Sequence, residues 1–368
     1  MGKTQIKIII YILILGYISF SCSKEDGENI NPNIQQTEWA QSSSVFDGII
    51  NGAMIDGKLI LMGYNSIYND VQLNVENNPF IFEKFISRPG WYKLPISSKI
   101  LASRTETDIY IAPLSNLQES SFVKIDPRSY DASFTGFEDI PRWQSEALGI
   151  SGSGAVLVPY RTSQEGIAEN NPSFFLIQTS LNGQELTVIN IVSIKPQVID
   201  YYDQIYQIVS FEDYFIINIA GEVLQISDQG ETTRIGSYNS YKTVILKDEM
   251  YSFGTHNTNQ EITLYKSNKN GTQRQIANKF PIDPVFANLQ LTTINDQIIG
   301  FNNDKIYLVN VGTNRLSLTE LNNSKLEGGF ISSINQVNSE TVLVTTTCNA
   351  VCGSFTKRIS NFFEEKKN

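Results

Sequence analysis

Few residues in this 368-residue chain offer a starting point for chemistry. There are three cysteines, Cys22, Cys348 and Cys352, and one histidine, His256. A single histidine rules out a zinc site built from several imidazoles. Cys348 and Cys352 stand four apart in TTTCNAVCGS. Neighbouring thiols in an exported protein oxidise, so the expectation is a structural disulfide that tightens a turn. Its short loop places the stabilisation at the low end of roughly 2–4 kcal/mol. Redox pairs favour two intervening residues, not three. His256, in GTHNTNQE, has the titration range of a base or ligand, but a polar loop makes it a solvated surface residue. Acids stand beside aromatics in FEDYF (211–215), DYYDQ (200–204) and FEDI (137–140). Paired carboxylates hydrolyse glycosides, and aromatic–acid surfaces hold sugars. Acids in turns are ordinarily solubilising, however, and aromatics in strands are ordinarily core. No loop has the D-x-D-x-D-G spacing of a calcium site. The sequence therefore assigns no catalytic residue, metal site or cofactor, and it leaves the ligand-binding residues unnamed.

Two longer insertions are better candidates for recognition. RTSQEGIAENNP (161–172) interrupts a hairpin, and DPRSYDASFTGFEDIPRWQSEA (126–147) joins two repeat units and carries Trp143. Function concentrates in such loops on a rigid scaffold. The bulk composition narrows the partners. Net charge is −10 and no stripe of Lys and Arg interleaves with aromatics, which argues against nucleic acid. Hydrophobic residues make up 41% of the chain, enough for a core, while the low 18% of charged residues leaves polarity to Asn, Gln, Ser and Thr.

The third cysteine fixes an address. Lys3 and Lys7 form a positive start, and residues 8–20, IIIYILILGYISF, are an unbroken apolar run. That run is too short to span about 30 Å of hydrocarbon comfortably, and it matches a secretory signal. Ser19 and Ser21 place small residues before Cys22. The stretch resembles the lipobox of bacterial lipoproteins, which implies cleavage before Cys22, a thioether to diacylglycerol at its thiol and acylation by palmitate-type chains. Phe20 departs from the small or aliphatic residue usual in that motif. The acidic start CSKED also resembles surface-displayed lipoproteins of Bacteroidota. The organisation expected is a signal peptide over 1–21, a solvated tether over 22–36 with no apolar periodicity, and a folded domain over 37–368.

What positions all these residues is a repeat. From residue 44 onward, short runs rich in Ile, Val, Leu, Tyr, Phe and Thr alternate with Asn, Asp, Gly and Ser turns, the mark of many short strands. One strand type recurs as KLILMGY (58–64), KILASR (99–104), AVLVPYR (155–161), YFIINIA (214–220), EMYSFGT (249–255), QIIGFN (297–302) and TVLVTTT (341–347). The first and last starts, Lys58 and Thr341, span six intervals of about 47 residues each. A partner strand follows each, from VQLNVE (71–76) to SFTKRI (354–359), and Asn-Gly-type turns lead to a third. Four antiparallel strands per 40–50 residues, roughly, is the pattern of a β-propeller blade. The expectation is an all-β propeller of about seven four-stranded blades. The competing readings are six blades plus an irregular flanking sheet, eight blades, and a non-propeller β-fold. The last unit has only three clear strands, so the N-terminal segment should supply its fourth and bury Trp39 as a clasp. Trp-Asp endings, paired-Gly motifs and regular Asp boxes are absent, so the resemblance to propellers lies in period and strand pattern alone, and no family's site residues carry over.

Together these features lead to an expected lipid-anchored cell-envelope protein, held at the outer membrane and displayed on the surface, with the periplasmic face as the alternative. It would bind envelope protein, peptide or glycan without catalysis. A propeller-fold glycoside hydrolase or lyase is the alternative. The anchor and ring also resemble the propeller lipoprotein of outer-membrane assembly, but fold analogy alone is weak ground for function.

Overall fold

A computed structural model describes residues 38–41, 49–55, 58–63, 66–70, 82–87, 91–93, 99–137, 148–165, 167–168, 173–197, 205–219, 222–238, 240–256, 260–268, 274–347, 351 and 353–366. Cys22, Cys348 and Cys352, the signal and tether segments, DYYDQ and Trp143 lie outside them. The described residues fall in one compact unit, Gln36–Asn368.

The unit is an all-β propeller. β1 (Ala40–Gln41) comes first in the chain. The first blade is β2 (Ile49–Ile55), β3 (Lys58–Gly63), β4 (Ser66–Asp70) and β5 (Phe82–Ser87). The second is β6 (Trp91–Lys93), β7 (Ile100–Arg104), β8 (Ile109–Pro113) and β9 (Val123–Ile125). Next comes a six-stranded sheet of β10 (Phe134–Phe137), β11 (Gly149–Ile150), β12 (Val156–Gln164), β13 (Ile167–Ala168), β14 (Ser173–Asn182) and β15 (Glu185–Ile194). Three regular blades follow: β16 (Ile205–Ser210), β17 (Tyr214–Ile219), β18 (Glu222–Ser227) and β19 (Thr232–Gly236); β20 (Ser240–Leu246), β21 (Glu249–His256), β22 (Glu261–Asn268) and β23 (Gln275–Pro281); β24 (Gln290–Ile294), β25 (Gln297–Asn302), β26 (Lys305–Val311) and β27 (Leu316–Glu320). The closing blade is β28 (Phe330–Gln336), β29 (Thr341–Thr347) and β30 (Gly353–Arg358), with β1 as its outer strand.

The expectation of seven four-stranded blades is thus corrected. Six sheets have four strands, and the remaining one has six, because β11 and β13 each add a two-residue strand to β12. The expected partner strand at 71–76 lies outside the described residues, and Ser66–Asp70 pairs with β3 instead.

The recurring apolar runs all fall on the second strand of a sheet, and their composition explains why. That strand is covered on both faces, so β7, β17 and most of β29 are buried along their whole length. Outer strands see solvent on one side, and several carry interruptions, as do the inner pairs β2–β3, β16–β17 and β28–β29, while β9 and β27 pair without one. Register shifts break the pairing of β5, β15, β19 and β23 with their inner neighbours. Such bulges twist an exposed edge away from further pairing.

Both chain ends close the ring. β1 pairs with β30, Ala40 opposite Thr356 and Gln41 opposite Phe355. Trp39 is 1% exposed, edge-on to Phe362 at 6.0 Å, as the clasp expectation required. After β30 a single helical turn, α1 (Ile359–Phe362), leads the C-terminal arm to the neighbouring blade, where Leu321 bridges Glu365 and Asn322 N donates to Glu364 O at 2.8 Å.

Candidate functional site: the anchored loop of the six-stranded sheet

Among the described residues, the antiparallel order of β9, β10, β12 and β14 puts the β9–β10 connection and the outer end of β12 at the same end of their sheets. The two insertions separated in sequence meet at that end. β10 and β12 pair Phe134 with Thr162, Gly136 with Arg161 and Phe137 with Tyr160, and β12 then turns back onto β13 with Ser163 opposite Ala168.

The loop between β9 and β10 is tightly hydrogen-bonded. Asp126 opens it as a cap, its carboxylate accepting from Arg128 N at 3.0 Å, with Pro127 preset for the first turn position. Tyr130 N and Asp131 N both donate to Pro127 O at 3.0 Å, and Phe134 N donates to Asp131 O at 3.1 Å. Ser163 N of β12 donates to Ser133 O at 3.0 Å, tying one insertion to the other. Beneath, Phe134 contacts Phe137 at 5.1 Å and Phe175 at 6.2 Å between ring centres. Above, Tyr130 stands 52% exposed.

Asp131 is the loop's anchor. Ser133 donates to its Oδ1 from both hydroxyl (2.5 Å) and backbone N (2.9 Å). Tyr160 OH donates to Oδ2 at 2.6 Å, Ser193 Oγ reaches it at 3.4 Å, and Lys195 Nζ lies 3.5 Å away. Burial works to raise this carboxyl, but the bonds from Ser133 and Tyr160, with Lys195 behind them, outweigh it and hold the group down at about 2. Burial, then the bond to Asp131, pushes the Tyr160 phenol well above its ordinary value. The ring of Tyr160 stacks on Phe175 at 3.9 Å. An ionised carboxylate and a firmly protonated phenol, bonded to each other, make a locked pair. They position a loop and are poorly placed to exchange protons near neutrality.

The other candidates fall differently. Glu212 and Asp213 are exposed in the turn before β17, while Phe211 and Tyr214 are buried and stacked at 4.5 Å. His256 ends β21 opposite Glu261, in a strand and not in the loop expected of it. Of FEDI only Phe137 lies among the described residues, buried with the Arg104 guanidinium 5.0 Å over its ring. Among the described residues no group of three or more His, Cys, Asp or Glu could hold a metal ion.

Two features escaped the sequence reading. One is a second Asp-Pro turn: IDPVFAN repeats the design of IDPRSYD. Asp283 accepts from Val285 N (2.8 Å) and Phe286 N (3.1 Å) at the start of the short turn Pro284–Ala287. The other is a tyrosine–arginine stack. The Arg274 guanidinium lies 3.7 Å over Tyr265 and donates to Tyr238 OH at 3.0 Å, and Tyr238 OH donates to Tyr265 OH at 2.9 Å. Burial, then the bond from Tyr238, pushes Tyr265 up to about 12.

No family model and no curated protein matches this chain. Solved structures do. The AfRom2 CNH domain aligns with a TM-score of 0.51 and 11% identity, over 88% of this chain and 99% of that one. A catalytically inactive virginiamycin B lyase from Staphylococcus aureus with quinupristin aligns with a TM-score of 0.52 and 10% identity, over 87% and 97%. The β-propeller domain of the trilobed protease from Pyrococcus furiosus aligns with a TM-score of 0.46 and 13% identity, over 86% and 99%. At these identities the likeness is one of fold, and activities differ widely on shared folds.

Proposed function

We propose that this chain is a lipid-anchored propeller of the bacterial cell envelope that binds protein, peptide or glycan and carries out no chemistry on it. The anchor is Cys22, acylated after cleavage at Ser21, with residues 22–36 as tether. The outer membrane, on its exposed side, is the address. The observation that carries the binding reading is the loop over 126–134. Its backbone is held by its own hydrogen bonds and by Asp131, and it presents Tyr130 to solvent. An aromatic on a pre-ordered backbone loses little entropy on contact, which is how recognition loops gain affinity. Asp131 supports the non-catalytic half of the reading, since every donor around it is already engaged. Among the described residues no helix is long and apolar enough to cross a membrane, and the lipid at Cys22 would hold the protein there instead.

The test has two arms. Wild type and Cys22→Ala are compared for acylation, membrane fractionation and protease shaving of intact cells; a Cys22→Ala protein that stays acylated and membrane-bound overturns the anchor. Purified protein and its Tyr130→Ala variant are then probed on glycan and peptide arrays, where binding should fall in the variant. Polysaccharide cleavage by the wild type, lost on replacing one carboxylate, would overturn the non-enzyme reading.

A further inference from the structure

Outer strands are the open edges of a propeller, and proteins blunt such edges with charge, proline or a covering segment. Most of the described outer strands follow that rule. β5, β9, β19 and β23 carry Lys84, Lys124, Arg234 and Lys279 in their interiors, and β23 ends on Pro281. The end of β27 is covered by the C-terminal arm, where Lys366 N donates to Glu320 O at 3.0 Å. β15 breaks the rule. Its ten residues, ELTVINIVSI, hold no charge after Glu185 at the start. Among the described residues no strand pairs with its outward edge, and Ile189 and Val192 stand 64% and 37% exposed. The β14–β15 hairpin also outruns its sheet: β12 pairs with β14 only as far as Ile177, while β15 continues with it to Asn182.

The chemistry of the strand selects its partner. ELTVINIVSIK (185–195) reads nearly alike in both directions, with an acid at one end and a base at the other. Laid antiparallel on itself, it brings the Glu185 end of each copy to the Lys195 end of the other, so opposite charges meet at both ends at once. Lys195 is 41% exposed, and an ammonium has three donors, so its contact with Asp131 at 3.5 Å leaves room for a second carboxylate.

The faces of the strand set the register. Leu186, Val188 and Ile191 pack toward the cluster shared with the second blade, whereas Ile194 belongs to the cluster on the opposite face. The extra residue at the Ile189 bulge produces that switch. Keeping like faces together puts a twofold axis between Ile189 and Asn190, with Val188 opposite Ile191 and Thr187 opposite Val192 of the second copy. β-Branched residues pack well across such pairs. The bulge fits a straight foreign strand poorly, but a second copy brings the same bulge and the same twist across the axis.

We infer that β15 is a homodimer interface: two copies of the chain pair antiparallel along this edge about a twofold axis and join their six-stranded sheets into one.

Sedimentation of the full chain in detergent, over a dilution series, tests this. Wild type should pass from dimer to monomer on dilution. The Ile189→Lys, Val192→Lys double variant sets like charges against each other at the pairing edge and should weaken the dimer on the order of a hundredfold. Its urea midpoint, read on the monomer, should stay near that of wild type, because both side chains are exposed. Cysteines test the geometry. When Thr187→Cys and Val192→Cys chains are mixed, a disulfide should join the two variants, and neither variant alone should form it, because like positions lie far apart along the paired strands. A protein that sediments as a monomer at every concentration overturns the proposal. So does a dimer that persists in the Ile189→Lys, Val192→Lys variant, or a mixture of the two cysteine variants that forms no disulfide.

Discussion

Replacing Lys357 by methionine sets two opposing effects against each other, and the geometry decides between them. Removing the ammonium forfeits its attraction to Glu364 and its contact with the Trp39 ring. At 3.7 Å the pair would be worth about 4 kcal/mol at an effective dielectric near 20. Glu364 is 42% exposed, however, and solvent screening cuts that to about 1 kcal/mol. The cation–ring contact at 5.7 Å adds about 0.5–1 kcal/mol. Against these stands the cost of holding an ammonium out of water, several kcal/mol after relaxation, roughly. Methionine keeps the buried stem and drops the charge, and Glu364 returns to solvent freely. Lys357→Met should therefore stabilise the fold by about 1–3 kcal/mol near neutrality. The pH dependence adds a second handle. Burial lowers the Lys357 pKa against the opposing pull of Glu364. A lysine lowered in the folded state burdens stability below its folded pKa, and the burden lifts as pH rises toward the unfolded value of about 10.4. The advantage of the variant should accordingly shrink as pH rises through the alkaline range. Urea unfolding followed by tryptophan fluorescence, at pH 7 and again near pH 10, measures both effects. A lower urea midpoint for Lys357→Met at pH 7, or an advantage that does not change with pH, refutes the reasoning.

Asp131→Asn should cost about 2.6 kcal/mol at neutral pH, from a carboxyl held at about 2 against an unfolded value near 3.9. A depressed carboxylate contributes its stability above the unfolded pKa and loses it as pH falls through the folded one, so urea midpoints of variant and wild type should converge between pH 4 and pH 2, roughly. Gly254→Ala would place a Cβ 2.3 Å from the Tyr238 ring, which is buried and cannot swing away. A loss of about 1–3 kcal/mol is expected by thermal melting, with recovery in a Gly254→Ala, Tyr238→Leu double variant.

How much of this could be read from sequence varied with burial. The second strand of each sheet was legible because its two covered faces leave an uninterrupted apolar run, as in YFIINI, where all six residues are buried. Outer strands were legible less from alternation, which a wet face and a bulge such as that at Ile189 in β15 interrupt, than from the Gly/Asn turn before them, as in SLNGQELTVI and VGTNRLSLTEL. The extra strands β11 and β13 are two residues each, too short to leave any periodic signal. Trp39 was foreseeable as a lone aromatic in a polar segment beside an incomplete last unit. The Asp131 anchor was not: its partners Tyr160 and Ser193 lie 29 and 62 residues away, and only the fold brings them together. A signal did exist for the loop architecture. The repeated Ile-Asp-Pro of residues 125–127 and 282–284 marks two connections capped in the same way.

The position of the clasp also sets a load path. Among the described residues, tension arriving along the chain from its N-terminal side first meets Glu38, whose ion pair to Lys325 spans 2.6 Å. Behind it the indole of Trp39, wedged against Phe362, takes the strain before the paired backbone of Ala40 and Gln41 does. A bulky wedge ahead of a short strand behaves as a mechanical stop. Pulling must extract a buried ring from its socket before backbone bonds can be peeled in sequence. Resistance to such a pull therefore draws on the socket around one indole before it draws on the paired strand.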